Sequence, residues 1–178
     1  MAKRTEKNDK RLNYAAALKA LKAQGPGRLY LLWGPEDYLR EQFLNELRKA
    51  CLPEGEDSFS FKRMNGPELD LPALREAVDA IPFMSERSFV ELRNVELNRL
   101  GDAEGLLRIL SDIPETCTLA FVQSAQFEPD GRLKLIKGIR SAGRVLDFCR
   151  CILQALNFIQ NLLIALCHFC RSSSHFLT

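Results

Sequence analysis

Apolar and polar residues alternate along this chain in two rhythms, one helical and one extended. Leu12, Ala15, Ala16 and Leu18 give residues 11–23 one apolar side and predict a helix there. Gln24-Gly25-Pro26-Gly27 stops it. Leu29 to Trp33 is an unbroken apolar run, the pattern of a strand buried on both faces in a parallel sheet. A tight turn follows at Gly34-Pro35-Glu36-Asp37. Leu39, Phe43, Leu47 and Cys51 then recur every four residues and predict a second helix. Glu36 and Asp37 at its start complement the helix dipole.

The same rhythms continue. Ser58 to Met64 alternates and predicts a strand, and Asn65-Gly66 turns the chain. Asp70 is a good N-cap for a helix carrying Leu74, Ala77, Val78 and Ile81, with Pro72 in its first turn. Ser88 to Val95 reads as the next strand. Leu106, Leu107, Leu110 and Ile113 mark a helix, and Thr116 to Val122 a strongly apolar strand. Arg132 to Ile139 places Leu135, Ile136 and Ile139 on one helical face, and Arg144 to Phe148 is a last short strand. Strand and helix alternate about five times, which calls for an α/β domain with a mostly parallel sheet and right-handed crossovers. Ligand sites in such sheets sit at the carboxyl ends of strands, where the Gly34 turn falls. No internal repeat is visible, and no low-complexity segment precedes residue 148.

Charge divides the chain more sharply than its totals suggest. Of 178 residues, 25 are Lys or Arg and 23 are Asp or Glu, for a net charge of +2, too near neutral for a general nucleic-acid coat. Residues 1–12 nevertheless carry +3 and residues 148–178 carry +2, through Arg150 and Arg171, leaving −3 for residues 13–147. Cys149, Cys151, Cys167, Cys170, His168 and His175 all fall in the last segment. The chain therefore reads as a basic arm (1–12), a domain (13–148) and a compositionally distinct tail (149–178). The basic arm lacks the apolar core of a secretory signal. Cys51 and Cys117 are isolated, so no disulfide framework is expected and a reducing cytoplasm is the expected location.

The Gly34 turn stands where a phosphate-binding loop would. Such a loop needs Gly-x-x-x-x-Gly-Lys-Ser/Thr, whose amides and lysine cradle phosphates. Here Gly34-Pro35-Glu36-Asp37-Tyr38-Leu39-Arg40 has no lysine and no second glycine, Pro35 removes an amide, and two carboxylates occupy the phosphate's place. ATP hydrolysis is not expected. Residues 13–147 contain no histidine, which excludes Ser-His and Cys-His catalysis there. No catalytic, cofactor or metal residue is assigned.

The tail holds two cysteine pairs, but the first has a single intervening residue. The segment between them reads as one helix, separating the pairs by about 25 Å. Zinc is not expected. Residues 151–170 contain fifteen apolar residues in twenty, with Gln154, Asn157, Gln160, Asn161 and His168 on one narrow face. That polar stripe fits an apolar helix docked on protein better than a bilayer span. Arg132, Lys134, Lys137 and Arg140 give the 132–139 helix a basic face, read as solvated.

Ile81-Pro82-Phe83-Met84-Ser85-Glu86-Arg87 stands out. A large apolar pair sits at a helix-to-strand junction, bounded by proline and a charged turn. Phe83 and Met84 either cap the core or form an exposed wedge for a partner's pocket.

Four stretches together resemble the N-terminal domain of the bacterial DNA polymerase III delta subunit, a clamp-loader component. They are residues 29–48 (LYLLWGPEDYLREQFLNELR), 58–96, the TCTLAFVQSA strand, and 132–148 (RLKLIKGIRSAGRVLDF). The likeness covers residues 11–148. It implies an AAA+-like, P-loop NTPase-like fold without ATP binding, and a non-catalytic part in a DNA-synthesising nucleotidyltransferase assembly. It implies a partner, the ring-shaped sliding clamp (the beta subunit), which is opened mechanically for loading onto DNA. It also implies contact with other loader subunits and, through them, DNA. In this family an apolar pair after the domain's third helix enters the clamp's pocket. That motif falls on Phe83 and Met84, with Pro82, Ser85 and Arg87 shaping the loop. Family members continue into a helical lid and collar, whereas the likeness here ends at Phe148, as in a truncated or frameshifted reading frame. Two other readings stay open at the level of sequence: an AAA+-type nucleotide-responsive domain, and a tail-anchored regulatory protein.

Overall fold

The computed structural model describes residues 14–53, 59–83 and 85–148. Its contacts divide the chain into units 1–148 and 149–178, and the described residues belong to the first. The tail's expected helix, cysteine pairs and histidines lie outside the described residues, as does the arm of residues 1–12.

The elements follow in the order α1 (Tyr14–Gln24), β1 (Leu29–Trp33), α2 (Asp37–Cys51), β2 (Phe61–Asn65), a single 3₁₀ turn (Gly66–Glu68), α3 (Leu71–Asp79), β3 (Ser88–Arg93), α4 (Ala103–Ser111), β4 (Cys117–Val122), α5 (Lys134–Ala142) and β5 (Arg144–Asp147). The five strands form one sheet in the order β2-β3-β4-β1-β5, and every neighbouring pair is parallel. Leu31 lies opposite Phe121 on β4 and Val145 on β5; Leu32 lies opposite Val122 and Leu146. Alternate residues thus feed two cores. Leu29, Leu31, Val90, Leu119 and Phe121 meet α3, α4 and α5 on one face. Tyr30, Leu32, Phe89, Ala120 and Leu146 meet α1 and α2 on the other. Burial of both faces explains the unbroken apolar run of β1 and the nearly apolar run of β4, where Thr118 is buried with its hydroxyl donating to the Gly27 carbonyl.

Local chemistry sets the boundaries. The Asp70 carboxylate accepts the Ala73 N–H at 3.3 Å, as expected of an N-cap, and Asp102 does the same for Gly105 at 2.8 Å at the start of α4. Gly66 passes so close to the β3 exit that a Cβ there would lie 2.1 Å from the Asn94 carbonyl oxygen. Asn94 itself is left-handed (φ 54°), which ends β3 two residues earlier than the pattern suggested.

Three expectations need correction. Ile81 is not on α3: the helix ends at Asp79, Ala80 is extended, and Ile81 is 91% exposed. Pro82 disfavours helical backbone in the residue before it, so the apolar spacing could not carry the helix that far. Strand β2 starts at Phe61 rather than Ser58, because Phe59 and Ser60 form a turn. Arg132 precedes α5 and is paired with Asp130 at 2.8 Å, so the basic helical face is shorter than it looked.

Candidate functional site

Two places merit attention, at opposite edges of the sheet. At the carboxyl end of β1, Gly34 has φ 118°, a conformation that favours glycine. The turn is closed from within. Buried Arg40 donates to the Gly34 carbonyl and to the Asp37 carboxylate, and the Asp37 N–H reaches the Pro35 carbonyl at 3.0 Å. The guanidinium spans the turn that a phosphate loop would leave open, a role the sequence spacing did not reveal.

The second place is the loop between α3 and β3. Because β2 and β3 are parallel neighbours, the turn entering β2 and the loop entering β3 meet at the amino edge of the sheet. Phe83 is 60% exposed, so it does not cap the core. Met84 lies outside the described residues. Pro82 is half-buried. Ser60 fixes the backbone of Phe83 from both sides: its Oγ accepts the Phe83 N–H at 2.8 Å and donates to the Phe83 carbonyl at 3.0 Å. The Phe59 ring meets the Phe83 ring edge-on, with centroids 6.1 Å apart and planes at 86°. Phe59 and Ile81 are each 91% exposed. Ser60 and Phe59 were not singled out in the sequence, where they read as the start of a strand.

The descending half of the loop is also braced. Ser85 Oγ donates to the Arg87 carbonyl at 2.9 Å. Arg87 lies beside a cavity of about 390 Å³, lined also by Pro26, Cys51, Pro53 and Ser85. Burial pushes the Cys51 thiol up to about 11, so it is no nucleophile at neutral pH. Pro82, Phe83, Ser85 and Arg87 thus belong to one loop, with Arg87 turned toward the body of the domain and Phe83 toward solvent.

Further along β3, toward its carboxyl end, lies a charged cluster that periodicity did not flag. Glu91 of β3 is fully buried. Its carboxylate pairs with Arg48 of α2 at 2.9 Å, with Arg63 of β2 at 3.0 Å, and with Arg93. Arg93 also grips Glu41 with two bonds of 2.8 and 3.0 Å. Burial pushes the Glu91 carboxyl up, but the guanidinium groups of Arg93 and Arg63 more than reverse this and hold it below the usual carboxylate range. The cluster ties α2, β2 and β3 together.

Among the described residues no three metal-ligating side chains come together, and no helix is long and apolar enough to cross a membrane.

No curated protein sequence matches the chain. Among solved structures, the Bacillus subtilis DNA clamp loader delta protein superposes with a TM-score of 0.66 at 20% identity, over 75% of this chain and 42% of that one. A DNA polymerase III gamma subunit-related protein from Thermotoga maritima gives a TM-score of 0.52 at 12% identity, over 75% of this chain and 45% of that one. The chain spans less than half the length of either protein. Both likenesses concern the fold, the AAA+-like α/β arrangement implied by the sequence resemblance. The family described as DNA polymerase III, delta subunit, matches residues 30–148, from β1 to the residue after β5. The chain therefore belongs to the DNA polymerase III delta subunit family.

Proposed function

We propose that this chain is a clamp-loader delta subunit whose described domain binds the sliding clamp through the α3–β3 loop. Phe83 and Met84 enter an apolar pocket on the ring, and Pro82, Ser85 and Arg87 shape the loop that presents them. The observation that carries this reading is the exposure of Phe83 on a backbone held at both its N–H and its carbonyl. A large aromatic side chain left in water on a fixed loop is a poor core residue and a good anchor. Family membership and the likeness to a clamp loader delta protein support the same role.

The chain contributes binding and not bond chemistry. Binding energy spent on the ring biases it toward an open interface, as any ligand favours the conformation it binds better. ATP chemistry would belong to other loader subunits, since the Gly34 turn is closed by Arg40. Contact with DNA would be indirect, through the assembled loader in the cytoplasm.

Equilibrium binding of the full chain to its own sliding clamp tests this. Phe83→Ala combined with Met84→Ala is expected to remove about 2–4 kcal/mol, a thirtyfold to thousandfold loss, with unchanged unfolding. Full affinity in that double variant would overturn the assignment.

A further inference from the structure

We infer that the turn entering β2 is the second half of the clamp-binding wedge: Ser60 is a positioning residue for Phe83, and Phe59 is a second aromatic contact. This rests on the clamp-binding reading of Phe83 above.

The argument starts from the Ser60 hydroxyl. Ser60 is 7% exposed, and its Oγ makes both a donor and an acceptor bond to a single residue, Phe83. One hydroxyl that satisfies the N–H and the carbonyl of the same residue holds that peptide as a neighbouring strand would. Phe83 lies outside the sheet, four residues past the end of α3 and five before β3, where no ladder fixes it. The side chain of Ser60 therefore does for the loop what sheet pairing does elsewhere. Meanwhile the backbone carbonyl of Ser60 accepts the Phe89 N–H at 2.8 Å, anchoring Ser60 itself to β3. The lock is thus built on a rigid element.

Phe59 supplies the other half. It has almost no burial of its own, yet its ring stands edge-on to Phe83. Such pairs restrict both rings and present one larger apolar surface. A partner pocket that takes Phe83 meets Phe59 beside it. Ordering these groups before binding also reduces the entropy lost on association, which raises affinity without a new contact.

The test uses the full chain and the purified sliding clamp of the same organism. Phe59→Ala and Ser60→Ala are each expected to weaken clamp binding about three- to tenfold. Ser60→Ala should also speed hydrogen exchange at the Phe83 amide, and Ser60→Thr, which keeps the hydroxyl, should restore both affinity and protection. A purely structural serine would change the unfolding temperature without this paired recovery. If Ser60→Ala folds poorly, exposed Phe59 still carries the test. Wild-type affinity in Phe59→Ala and Ser60→Ala, with binding lost in the Phe83/Met84 double variant, would overturn this inference and leave the clamp-binding reading intact. Wild-type affinity in all of these variants would overturn both.

Discussion

Glu91 shows how much a single position can carry without announcing itself. In SFVELR it looks like an ordinary polar step between apolar residues, yet it is fully buried and held by three arginines. Two of those partners lie 28 and 43 residues away in sequence, so no local pattern could have found them. Phe83, by contrast, was marked by a proline and a charged turn that framed an apolar pair, but its spacing did not decide between a core cap and an exposed side chain. Its support from Ser60 was not legible, since hydrogen bonds across 23 residues leave no mark on periodicity. Removing the Glu91 charge leaves Arg48, Arg63 and Arg93 crowded together. Glu91→Gln is expected to lower stability by about 3–5 kcal/mol at pH 7, measured by urea unfolding. The sign with pH follows from a carboxyl held below its unfolded value. Its stabilisation is full above the ordinary carboxylate range and fades as the pH falls through the folded value. The gap between wild type and Glu91→Gln should therefore narrow below about pH 4. A gap that stayed constant down to pH 2 would contradict this.

At the scale of elements, the strands were more legible than the helix ends. A strand in this sheet is buried on both faces, so its apolar run nearly equals its length, as in Leu29–Trp33. A helix shows only one face, and its end is set by backbone events the spacing does not contain. Ala80 and Pro82 ended α3 where Ile81 suggested another turn. The order of strands was not legible at all, because every crossover in a parallel sheet looks alike in sequence. Two substitutions separate the forces acting between β2 and α3. Asp70→Ala removes only the cap and is expected to lower the unfolding free energy by about 1 kcal/mol. Gly66→Ala pushes a methyl group against the Asn94 backbone carbonyl and should be the more damaging change in the same unfolding assay. The reverse ranking would show that the Gly66 contact relaxes freely.

For the whole molecule, the described domain covers both faces of its sheet with its own helices, α1 and α2 on one side and α3 to α5 on the other. Deleting residues 149–178 is accordingly expected to leave a cooperative unfolding transition and the far-ultraviolet signature of an α/β domain. Loss of that transition would show that the tail completes the core. The sheet order has a further consequence, for synthesis. The first strand made, β1, lies between the last two, β4 and β5. At ribosomal speeds of about 5–20 residues per second, its five apolar residues wait on the order of ten seconds for their first neighbour. No hairpin can shelter them in the meantime, since the sheet contains none. The nascent chain thus carries this apolar segment without a strand partner until β4 has been made, which makes it a natural client for a ribosome-bound chaperone.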